Sequence, residues 1–389
     1  MLTLVLLALA LTCLLITLLI CRRLGVFDDR YAAVRSYARL LEKIGDVYIG
    51  DLDNDVVSAA ALHAAVDALG DRWSYYMTPA EYADYLDNVN NRYVGIGVGV
   101  VADEEYGGMR VTFVYRGSPA ETAGIVPGDV IIGVDGEDVT SLELSAISGR
   151  LARGLGESVE LSVRRADGAV ETLVAIYSYV FIDPVSFEML ESGVGYIALA
   201  NFDSGAARSF ISALDTLMEQ GADSLIVDLR GNGGGRLVEM TEILDYILPE
   251  GEIFVAVDKS GREDVTRSGP DCVDIPIVVL VNRYSYSAAE YFAALLREYD
   301  RAVLVGEQTT GKNRMQTTYE LADGGALHIS TSQYLTPNRV SLYDEGGVTP
   351  DHEIPLTDEE FELLMFGSLD KNEDPQLRQA LLLLTTRAR

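Results

Sequence analysis

The sequence predicts a multidomain α/β protein, and three observations support this fold class. Residues 28–90 repeat apolar side chains at helical spacing, whereas residues 92–175 alternate short apolar strands with glycine turns. Further along, a buried strand at 225–227 and a helix with one apolar face after residue 287 indicate an α/β core. A chain of 389 residues with 48% hydrophobic content can bury two or three cores.

These patterns divide the chain into four predicted parts. They are a membrane anchor at 1–24, a helical region at 25–91, a small mixed β domain with short helices at 92–175, and an α/β core with a closing sheet and helix at 176–389.

The first part is an aliphatic run from Leu2 to Ile20, interrupted only by Thr3, Thr12, Cys13 and Thr17. At about 1.5 Å per residue, a helix of this length can cross a bilayer core of about 30 Å, so we expect a single-pass anchor. A cleaved signal peptide is the weaker alternative, because the run exceeds the usual apolar stretch of about 7–15 residues and no A-x-A site follows. Arg22 and Arg23 follow the run, and the positive-inside rule would keep the rest of the chain in the cytoplasm.

The helical region has apolar residues at intervals of three and four. Its first repeat comprises Val34, Tyr37, Leu40, Leu41 and Ile44, and its second comprises Ala61, Leu62, Ala65, Val66 and Leu69. Both repeats are typical of amphipathic helices. The segment LGDRWSYYMTPAEY (69–82) follows, and we expect Trp73 and the tyrosines of this segment in the core rather than at a substrate site.

Composition restricts the partners and cofactors. The formal net charge of −30 argues against nucleic acid, because phosphate binding needs clustered lysine and arginine. The three cysteines, Cys13, Cys21 and Cys272, provide no disulfide framework. No spaced group of histidine, cysteine or carboxylate residues suggests a metal site, so we expect no metal and no cofactor.

A serine and a lysine form a candidate catalytic pair. Ser287 and Lys312 are 25 residues apart, and Gln316 follows the lysine by four residues. Histidine is scarce, and none of the three lies in a loop near a plausible serine: His63, His328 and His352. The spacing therefore favours a serine hydrolase whose base is a lysine.

A lysine base imposes a physical requirement on its surroundings. Lys312 can accept a proton only as the neutral amine, so its pKa must fall from about 10.4. A pKa of roughly 7–8 disfavours the charged form by about 3–4.5 kcal/mol, which burial away from carboxylates can supply. Gln316 is neutral, so it can accept a hydrogen bond from the amine without holding the amine protonated. The alternative for Lys312 is a solvated loop lysine.

Ser287 also fits a structural role as a helix cap. The string Ser287-Ala288-Ala289-Glu290 matches the capping box S-x-x-E ahead of an apolar helix face. Both roles can hold together, because a helix N-terminus directs free N–H groups and a positive dipole end at whatever is bound there. Such an environment suits a developing oxyanion.

The string VDLRGNGGG (227–235) offers backbone donors for an oxyanion. Its apolar start is typical of a buried strand, and the glycines after Arg230 permit tight turns with close backbone approach. A glycine-rich turn after a strand can also cradle phosphate, but no G-K-[ST] follows. The glycine run is therefore a candidate oxyanion hole, provided that it lies beside Ser287.

Together these strings resemble the carboxy-terminal processing peptidases, or tail-specific proteases, which use a Ser-Lys pair. In that family a string like VDLRGNGGG precedes the nucleophile, an S-x-S-A-x-E string carries it, and a G-K-x-x-x-Q string carries the base. All three occur here in this order. The resemblance covers nearly the whole chain after the first two dozen residues. It implies that Ser287 is the nucleophile, that Lys312 is the base, and that Gln316 orients the lysine.

The same resemblance implies a crotonase-like α/β core and an oxyanion hole. The hole would be formed by the amide of Ala288 and that of a glycine, in the first place Gly234. Gly233 is the alternative, since this chain has glycine where proline is common in the family.

Residues 92–175 resemble a PDZ domain. The resemblance rests on the pattern SPAETAG-x-x-PGD-x-I-x-x-V-D-G that runs from Ser118 to Gly136. It implies that successive amides of one loop capture a peptide C-terminus while the peptide adds as a strand to the sheet edge; the loop is Gly95, Ile96, Gly97 and Val98. An ordinary hairpin is the alternative for this loop taken alone.

A carboxylate-binding module joined to a Ser-Lys hydrolase implies a serine endopeptidase that recognises protein substrates by free, apolar C-terminal tails. Tethering a tail would raise the local substrate concentration at Ser287. The alternative from another class is a non-catalytic PDZ scaffold that binds C-termini, and a lowered pKa of Lys312 would favour the enzyme.

The resemblance also bears on location and assembly. It places the catalytic part outside the cell membrane, in the periplasm or on the extracellular face, and it allows a homodimer built through the N-terminal helices. The closing sheet is predicted for 317–355, and we expect His328 and His352 to be structural residues within it.

Overall fold

The computed structural model describes residues 11–12, 14–17, 32–190, 193–365 and 367–387. The chain divides into two compact units, Met1–Ala68 and Leu69–Arg389. Most of the predicted anchor, Leu2–Ile20, lies outside the described residues, so the anchor and its orientation stay predictions. Within the described ranges, no helix combines the length and the apolar character needed to cross a bilayer.

The described part of the first unit is helical, which confirms the predicted helical region. It contains α1 (Ala32–Val47) and α2 (Asn54–Asp67). Helix α2 begins after Asp53, whose carboxylate accepts the N–H groups of Asp55 and Val56 at 3.0 and 3.2 Å. None of the residues of either helix is buried. These helices therefore form no hydrophobic core of their own.

The second unit begins with strand β1 (Tyr75–Met77) and helix α3 (Pro79–Val89). Thr78 and Glu81 form a capping box at the start of α3. The Thr78 hydroxyl accepts the N–H of Glu81 at 3.3 Å, and the Glu81 carboxylate accepts the N–H of Thr78 at 2.8 Å. The cap fixes the direction in which α3 leaves β1.

The middle of the chain is an antiparallel sheet with the strand order β3-β4-β5-β7-β8, and β6 pairs with β5. Its strands and helices are β2 (Arg92–Gly95), β3 (Val98–Ala102), β4 (Met109–Val114), α4 (Pro119–Thr122), β5 (Val130–Val134), β6 (Glu137–Asp138), α5 (Leu144–Arg150), β7 (Ser158–Arg164) and β8 (Val170–Ile176). Strand β2 lies outside this sheet and pairs with β9 (Ser178–Phe181). The sheet encloses its own core, which includes Ile131, Ile147 and Leu161. Strand β3 forms one edge of the sheet.

The rest of the chain forms the α/β core. Its elements are β10 (Val185–Met189), β11 (Val194–Leu199), α6 (Ala206–Glu219), β12 (Ser224–Asp228), α7 (Leu237–Ile247), β13 (Gly251–Asp258), β14 (Glu263–Ser268), β15 (Ile277–Val281), α8 (Ala288–Glu298), β16 (Ala302–Gly306), β17 (Arg314–Glu320), β18 (Ala326–Leu335), β19 (His352–Glu353), α9 (Asp358–Met365) and α10 (Pro375–Arg387). The main sheet has the order β10-β11-β12-β15-β16-β19, and only β10 is antiparallel to its neighbour.

The two faces of this main sheet are both covered by helices. Because successive side chains of a strand point to opposite faces, each strand contributes to two clusters. One face packs on α6, α7 and α8 through a cluster that includes Leu225, Val227, Phe210, Leu244 and Phe292. The other face packs on α10 through a cluster that includes Ile226, Val278, Leu280 and Leu377. Burial on both faces explains the continuous apolar runs of the parallel strands.

A second sheet places the segment 69–82 against the strands that follow Lys312. Its order is β1-β18-β13-β14, with β17 on the other side of β18. Tyr75 of β1 and Thr318 of β17 both pair with His328 of β18. A stretch from the beginning of the second unit thereby reaches the neighbourhood of the candidate base.

A buried ion cluster fixes the C-terminal helix to the loop that follows β12. The side chain of Arg230 is only 2% exposed, and its guanidinium pairs with Asp228 at 2.6 Å and with Asp374 at 2.8 Å. Gln376, in the first turn of α10, accepts a further hydrogen bond from Arg230 at 2.9 Å. Each of these buried charges would be costly without a partner. The cluster therefore holds Arg230, and with it the start of the glycine string, in a fixed position.

Candidate active site

The candidate site lies at the carboxyl ends of two neighbouring parallel strands, β12 and β15. Strand β12 leads into the glycine string 229–235, and β15 leads into the loop 282–286 that precedes Ser287. Hydrogen bonds of 2.7, 3.0 and 3.2 Å join the two loops, from Ser285 to Leu229, from Gly231 to Asn282 and from Tyr286 to Asn232. These bonds hold the glycine string beside the candidate nucleophile.

Ser287 adopts a backbone conformation that is rare for residues other than glycine, with φ 59° and ψ −123°. Strain of this kind amounts to roughly 1–3 kcal/mol and is typical of functional sites. Ser287 occupies the N-cap position of α8, but its side chain makes no capping hydrogen bond. The predicted capping box is therefore wrong, because neither Ser287 nor Glu290 binds the helix end as that motif requires.

Gly234 packs directly against Ser287. Its φ is +94°, and a side-chain carbon at this position would lie 2.8 Å from Ser287 Cβ and 2.9 Å from the Ala288 amide nitrogen. Both neighbours are rigid, so only glycine fits here. The predicted oxyanion donors Gly234 and Ala288 thus lie together at Ser287.

The amides of the glycine string differ in what they bind. The N–H of Gly234 donates to Asn232 Oδ1 at 2.8 Å, so an oxyanion would have to compete with that oxygen. Within the part of the chain that the structure describes, no hydrogen bond uses the N–H of Ala288 or of Gly235. Gly233 and Gly235 line the cavity that also contains Ser287 and Ala288. Gly235 is therefore a further candidate donor that the sequence did not indicate.

Lys312 lies in the loop between β16 and β17, and only 8% of its surface is exposed. Its Nζ lies 4.4 Å from the centre of the Trp73 ring, which covers the amine. Burial lowers the pKa of Lys312 to about 8, while the carboxylates of Asp71 and Glu290 oppose this shift. The alternative of a solvated lysine is therefore wrong. A pKa of about 8 leaves a substantial fraction of the amine neutral slightly above neutral pH, as a base requires.

Glu290 holds the loop that carries Lys312. Its carboxylate accepts the N–H groups of Gly311 at 2.6 Å and of Lys312 at 2.8 Å, and it also accepts the hydroxyl of Thr309. Glu290 is fully buried, which raises the pKa of its carboxyl, and these hydrogen bonds oppose that rise. The sequence missed this role, although a glutamate inside the apolar run AAEYFAALL (288–296) is a signal that could have shown it.

Gln316 lies in the same cavity as Lys312. Its Nε2 donates to the carbonyl of Arg314 and to Ser330 Oγ, both at 3.0 Å. The amide oxygen of Gln316 is thus the atom left to accept a bond from the lysine. In the described chain no hydrogen bond joins Gln316 to Lys312, so the orienting role stays a prediction.

Ser287, Lys312 and Gln316 line one cavity of about 760 Å³, which is within the usual range of roughly 300–1,000 Å³ for ligand sites. Part of its wall is aromatic and consists of Trp73, Tyr75, Tyr82, Tyr85 and His328. Another part is apolar and includes Leu237, Met240, Phe254, Tyr291 and Met315. The cavity can therefore hold apolar side chains close to Ser287.

Two residues of this wall were expected to be structural. Trp73 was predicted in the core, and this prediction is wrong, because the half-buried ring covers the Lys312 amine. His328 stacks on Tyr75 with ring centres 4.8 Å apart, and its Nδ1 lies 2.8 Å from Thr318 Oγ1. Burial, with a smaller contribution from Lys312, lowers the pKa of His328 to about 4. His328 is therefore neutral at physiological pH. In the described chain its side-chain hydrogen bond is to Thr318 and not to Ser287.

The loop Gly95–Val98 lies at the edge of the middle sheet, next to β3. Its carbonyls are engaged, since Ile96 O accepts the N–H of Ala120 at 2.8 Å and Gly97 O accepts that of Tyr115 at 3.0 Å. Among the described residues, the N–H groups of Ile96 and Gly97 have no acceptor. Adjacent free amides at a sheet edge can bind a carboxylate.

In the described ranges, no group of three or more histidine, cysteine, aspartate or glutamate side chains is arranged to hold a metal ion.

Known proteins are similar to this chain in both parts of the second unit. The PDZ domain family matches residues 110–165, and Peptidase family S41 matches residues 193–354. The carboxyl-terminal-processing protease of Synechocystis sp. is 32% identical over 340 residues, which cover 86% of this chain and 78% of that protein. The carboxy-terminal processing protease CtpA of Bacillus subtilis is 30% identical over 319 residues, which cover 82% and 68% of the two chains.

A solved structure of an S41 protease from Bacteroides fragilis shares the fold. Its TM-score is 0.52 at 20% identity, over 88% of this chain and 92% of that one. These similarities confirm the predicted fold class and protease activity, and the lowered pKa of Lys312 also disfavours the scaffold alternative. The chain is a serine protease with a PDZ domain, and it belongs to peptidase family S41, the family of the carboxyl-terminal-processing proteases.

Proposed function

We propose that this protease cleaves peptide bonds with Ser287 and Lys312 through an acyl-enzyme. One observation carries the proposal. Ser287, held in a rare backbone conformation at the start of α8, lines the same cavity as a buried lysine whose pKa is lowered to about 8. Nucleophile and base thus meet the two requirements of such a pair, which are a presented hydroxyl and a neutral amine.

The reaction proceeds in two halves. Neutral Lys312 takes the proton of the Ser287 hydroxyl while Oγ attacks the scissile carbonyl carbon. The tetrahedral intermediate collapses, the C–N bond breaks, and the ammonium of Lys312 returns the proton to the leaving amine. Water then attacks the ester with Lys312 again as base, which releases the new carboxyl terminus and restores Ser287.

The developing oxyanion is stabilised by backbone amides. The N–H of Ala288, at the positive end of α8, is one donor. A glycine of the string 231–235 supplies the second, either Gly234 by exchanging its bond with Asn232 or Gly235 with its unengaged N–H. Gln316 accepts a hydrogen bond from the amine of Lys312 and thereby orients it.

The value of kcat/KM is expected to rise about tenfold per pH unit up to about pH 8 and to level off above it. Only neutral Lys312 accepts the serine proton, and burial lowers its pKa to about 8. The profile is measured from about pH 6 to about pH 10 with a peptide that has no group titrating in that range. A profile that still rises at about pH 10 would exclude a lysine with a lowered pKa as the base.

Substrates are selected by their free C-terminal tails. The N–H groups of Ile96 and Gly97 bind the terminal carboxylate, and the tail adds as a strand to the open edge of β3. Partly buried apolar side chains of β3 and α5 pack on one hydrophobic cluster, namely Val98, Val100 and Leu144. This surface favours an apolar tail, and tethering raises the substrate concentration at Ser287.

The proposal is tested with one unstructured polypeptide that ends in apolar residues, prepared with a free and with an amidated C-terminus. We expect the full chain to cleave both and the amidated form at least about tenfold less efficiently, since the amide cannot use the carboxylate site. A fluorophosphonate should label Ser287 and stop both reactions. Equal rates for the two forms would refute tail selection, and unchanged cleavage after treatment would refute a serine nucleophile.

The remaining predictions concern location and assembly. We propose that the run Leu2–Ile20 anchors the protein in the cell membrane, with the catalytic part on the extracellular or periplasmic side. Its length and apolar composition support the anchor. Self-association through the N-terminal helices, whose residues are not buried within their own unit, is part of the same proposal.

A further inference from the structure

We propose that Tyr334 is a positioning residue of this protease, and that its hydroxyl holds the main chain of Lys312 in the position from which the amine reaches Ser287. The inference rests on the proposed Ser-Lys mechanism. None of the sequence motifs that indicated Ser287, Lys312 and Gln316 includes Tyr334, which lies in strand β18.

The first observation concerns the lysine. The Tyr334 hydroxyl donates to the carbonyl of Lys312 at 2.5 Å, and the Tyr334 N–H donates to the carbonyl of Asn313 at 2.9 Å. Strand β18 therefore binds two consecutive carbonyls, those of Lys312 and Asn313. Glu290 holds the same turn from the other side through the N–H groups of Gly311 and Lys312. Hydrogen bonds therefore fix the main chain of Lys312 at both its N–H and its carbonyl group.

The second observation concerns the serine. Tyr334 lines the same cavity as Ser287 and Lys312. A phenol has a single proton, and Tyr334 gives it to the Lys312 carbonyl. The hydroxyl that fixes the main chain of the base therefore belongs to the wall of the cavity that contains Ser287.

The third observation concerns the ring, which is closely packed. Tyr334 is 4% exposed, and its ring lies 5.6 Å from that of Tyr291, edge to face, and 5.8 Å from that of Phe254. The hydroxyl of Tyr334 therefore holds the Lys312 main chain in one place at the cavity wall. This restriction increases the fraction of conformers in which the amine can reach Ser287.

Tyr334 does not itself act as a base. Burial raises the pKa of its phenol well above the ordinary value, so the group stays neutral over the range in which Lys312 titrates. The proton of Ser287 therefore goes to Lys312, and Tyr334 contributes by geometry alone.

The test is Tyr334→Phe in the full chain, with Tyr299→Phe as the matched control. Tyr299 also donates its hydroxyl to a main-chain carbonyl, that of Glu252 at 2.9 Å, but it does not line the cavity. We expect Tyr334→Phe to lower kcat by about 10- to 100-fold with KM changed less than about threefold, since tail binding is untouched. The control should keep both values within about twofold.

A second readout separates positioning from a structural role. The rate constant for inactivation by a fluorophosphonate depends on the reactivity of Ser287 and not on tail binding, and it should fall in Tyr334→Phe by the same factor as kcat. A variant that unfolds at the wild-type temperature and reacts at the wild-type rate would overturn the inference. Failure of the wild type to be labelled at Ser287 would instead refute the Ser-Lys mechanism itself.

4-Fluorophenylalanine at position 334 keeps the ring and fills the space of the hydroxyl, and it serves if Tyr334→Phe fails to fold. It cannot donate a hydrogen bond to the Lys312 carbonyl. We expect the same decrease in the inactivation rate as for Tyr334→Phe. An inactivation rate equal to that of the wild type would overturn the inference.

Discussion

Lys312→Met is expected to lower kcat/KM by about 10⁴-fold or more at about pH 8 and to leave the protein folded. Methionine resembles lysine in length and flexibility, so it can fill the space under the Trp73 ring. It has no group that can accept the proton of Ser287. The remaining activity would come from substrate binding and from the oxyanion donors alone. The comparison is made with a free-tail peptide.

The stability of this variant provides an independent check. Because the pKa of Lys312 in the folded protein, about 8, lies below that of a free lysine, the protonated amine disfavours folding. This penalty is fully present below about pH 8 and disappears as the pH rises through the unfolded value of about 10.4. At about pH 7, Lys312→Met should therefore melt at the same temperature as the wild type or higher, and the difference should shrink towards about pH 10.

Ser287→Ala is the control for the loss of activity. It should lose cleavage as completely as Lys312→Met and escape fluorophosphonate labelling, while it still binds a peptide with a free apolar tail. If Lys312→Met retained more than about 1% of the wild-type kcat/KM, another group would have to be the base.

The parts of the site that could be predicted from the sequence are those carried by short strings. Ser287, Lys312 and the glycine string each lie in a local motif, and parallel strands bring the ends of β12 and β15 together in any fold of this class. The helical region and the α/β core follow from periodicity, and the PDZ domain follows from the resemblance carried by the string from Ser118 to Gly136. Local sequence patterns were sufficient for residues whose position depends on their neighbours in the sequence.

The missed residues act through contacts between distant parts of the chain. Glu290 matched a local capping box, but in the folded chain it binds a loop 21 and 22 residues further on. Trp73 belongs to an aromatic segment typical of a core, yet β1 pairs with β18 and places the ring over Lys312. Nothing in the sequence indicates a role for Ser74. In the folded chain its hydroxyl oxygen accepts the N–H of Ser330, which is 256 residues away, at 3.0 Å. Pairings of this kind depend on strand register, which a single sequence does not reveal.

The predicted oxyanion hole shows a further limit of prediction from the sequence. The position of Gly234 next to Ser287 was predicted, but the direction of its N–H was not. That direction is set by Asn232, a fully buried side chain that accepts the Gly234 N–H at 2.8 Å and donates to the carbonyl of Leu199 at 2.7 Å. Which amide of a glycine turn faces the substrate is thus decided by a neighbouring side chain and not by the glycines themselves.

Glu290→Ala is expected to lower kcat by about 100-fold and the free energy of unfolding of the catalytic core by about 3–5 kcal/mol. Removing the carboxylate leaves the buried N–H groups of Gly311 and Lys312 without acceptors, at about 1–3 kcal/mol each. The loop then loses the contact that directs Lys312 towards Ser287. Activity is measured per folded molecule, and stability by denaturant unfolding.

The pH profile distinguishes this role from simple destabilisation. The charge of Glu290 raises the pKa of Lys312, so its removal should move the midpoint of the kcat/KM profile to lower pH. Asp129→Ala is the matched control, since Asp129 is an equally buried carboxylate that binds Arg165 at 2.6 Å and the N–H of Val126 at 2.9 Å in the PDZ domain. It should destabilise its own domain and leave the midpoint where it is. A normal kcat with an unmoved midpoint in Glu290→Ala would mean that Tyr334 alone keeps the lysine in place.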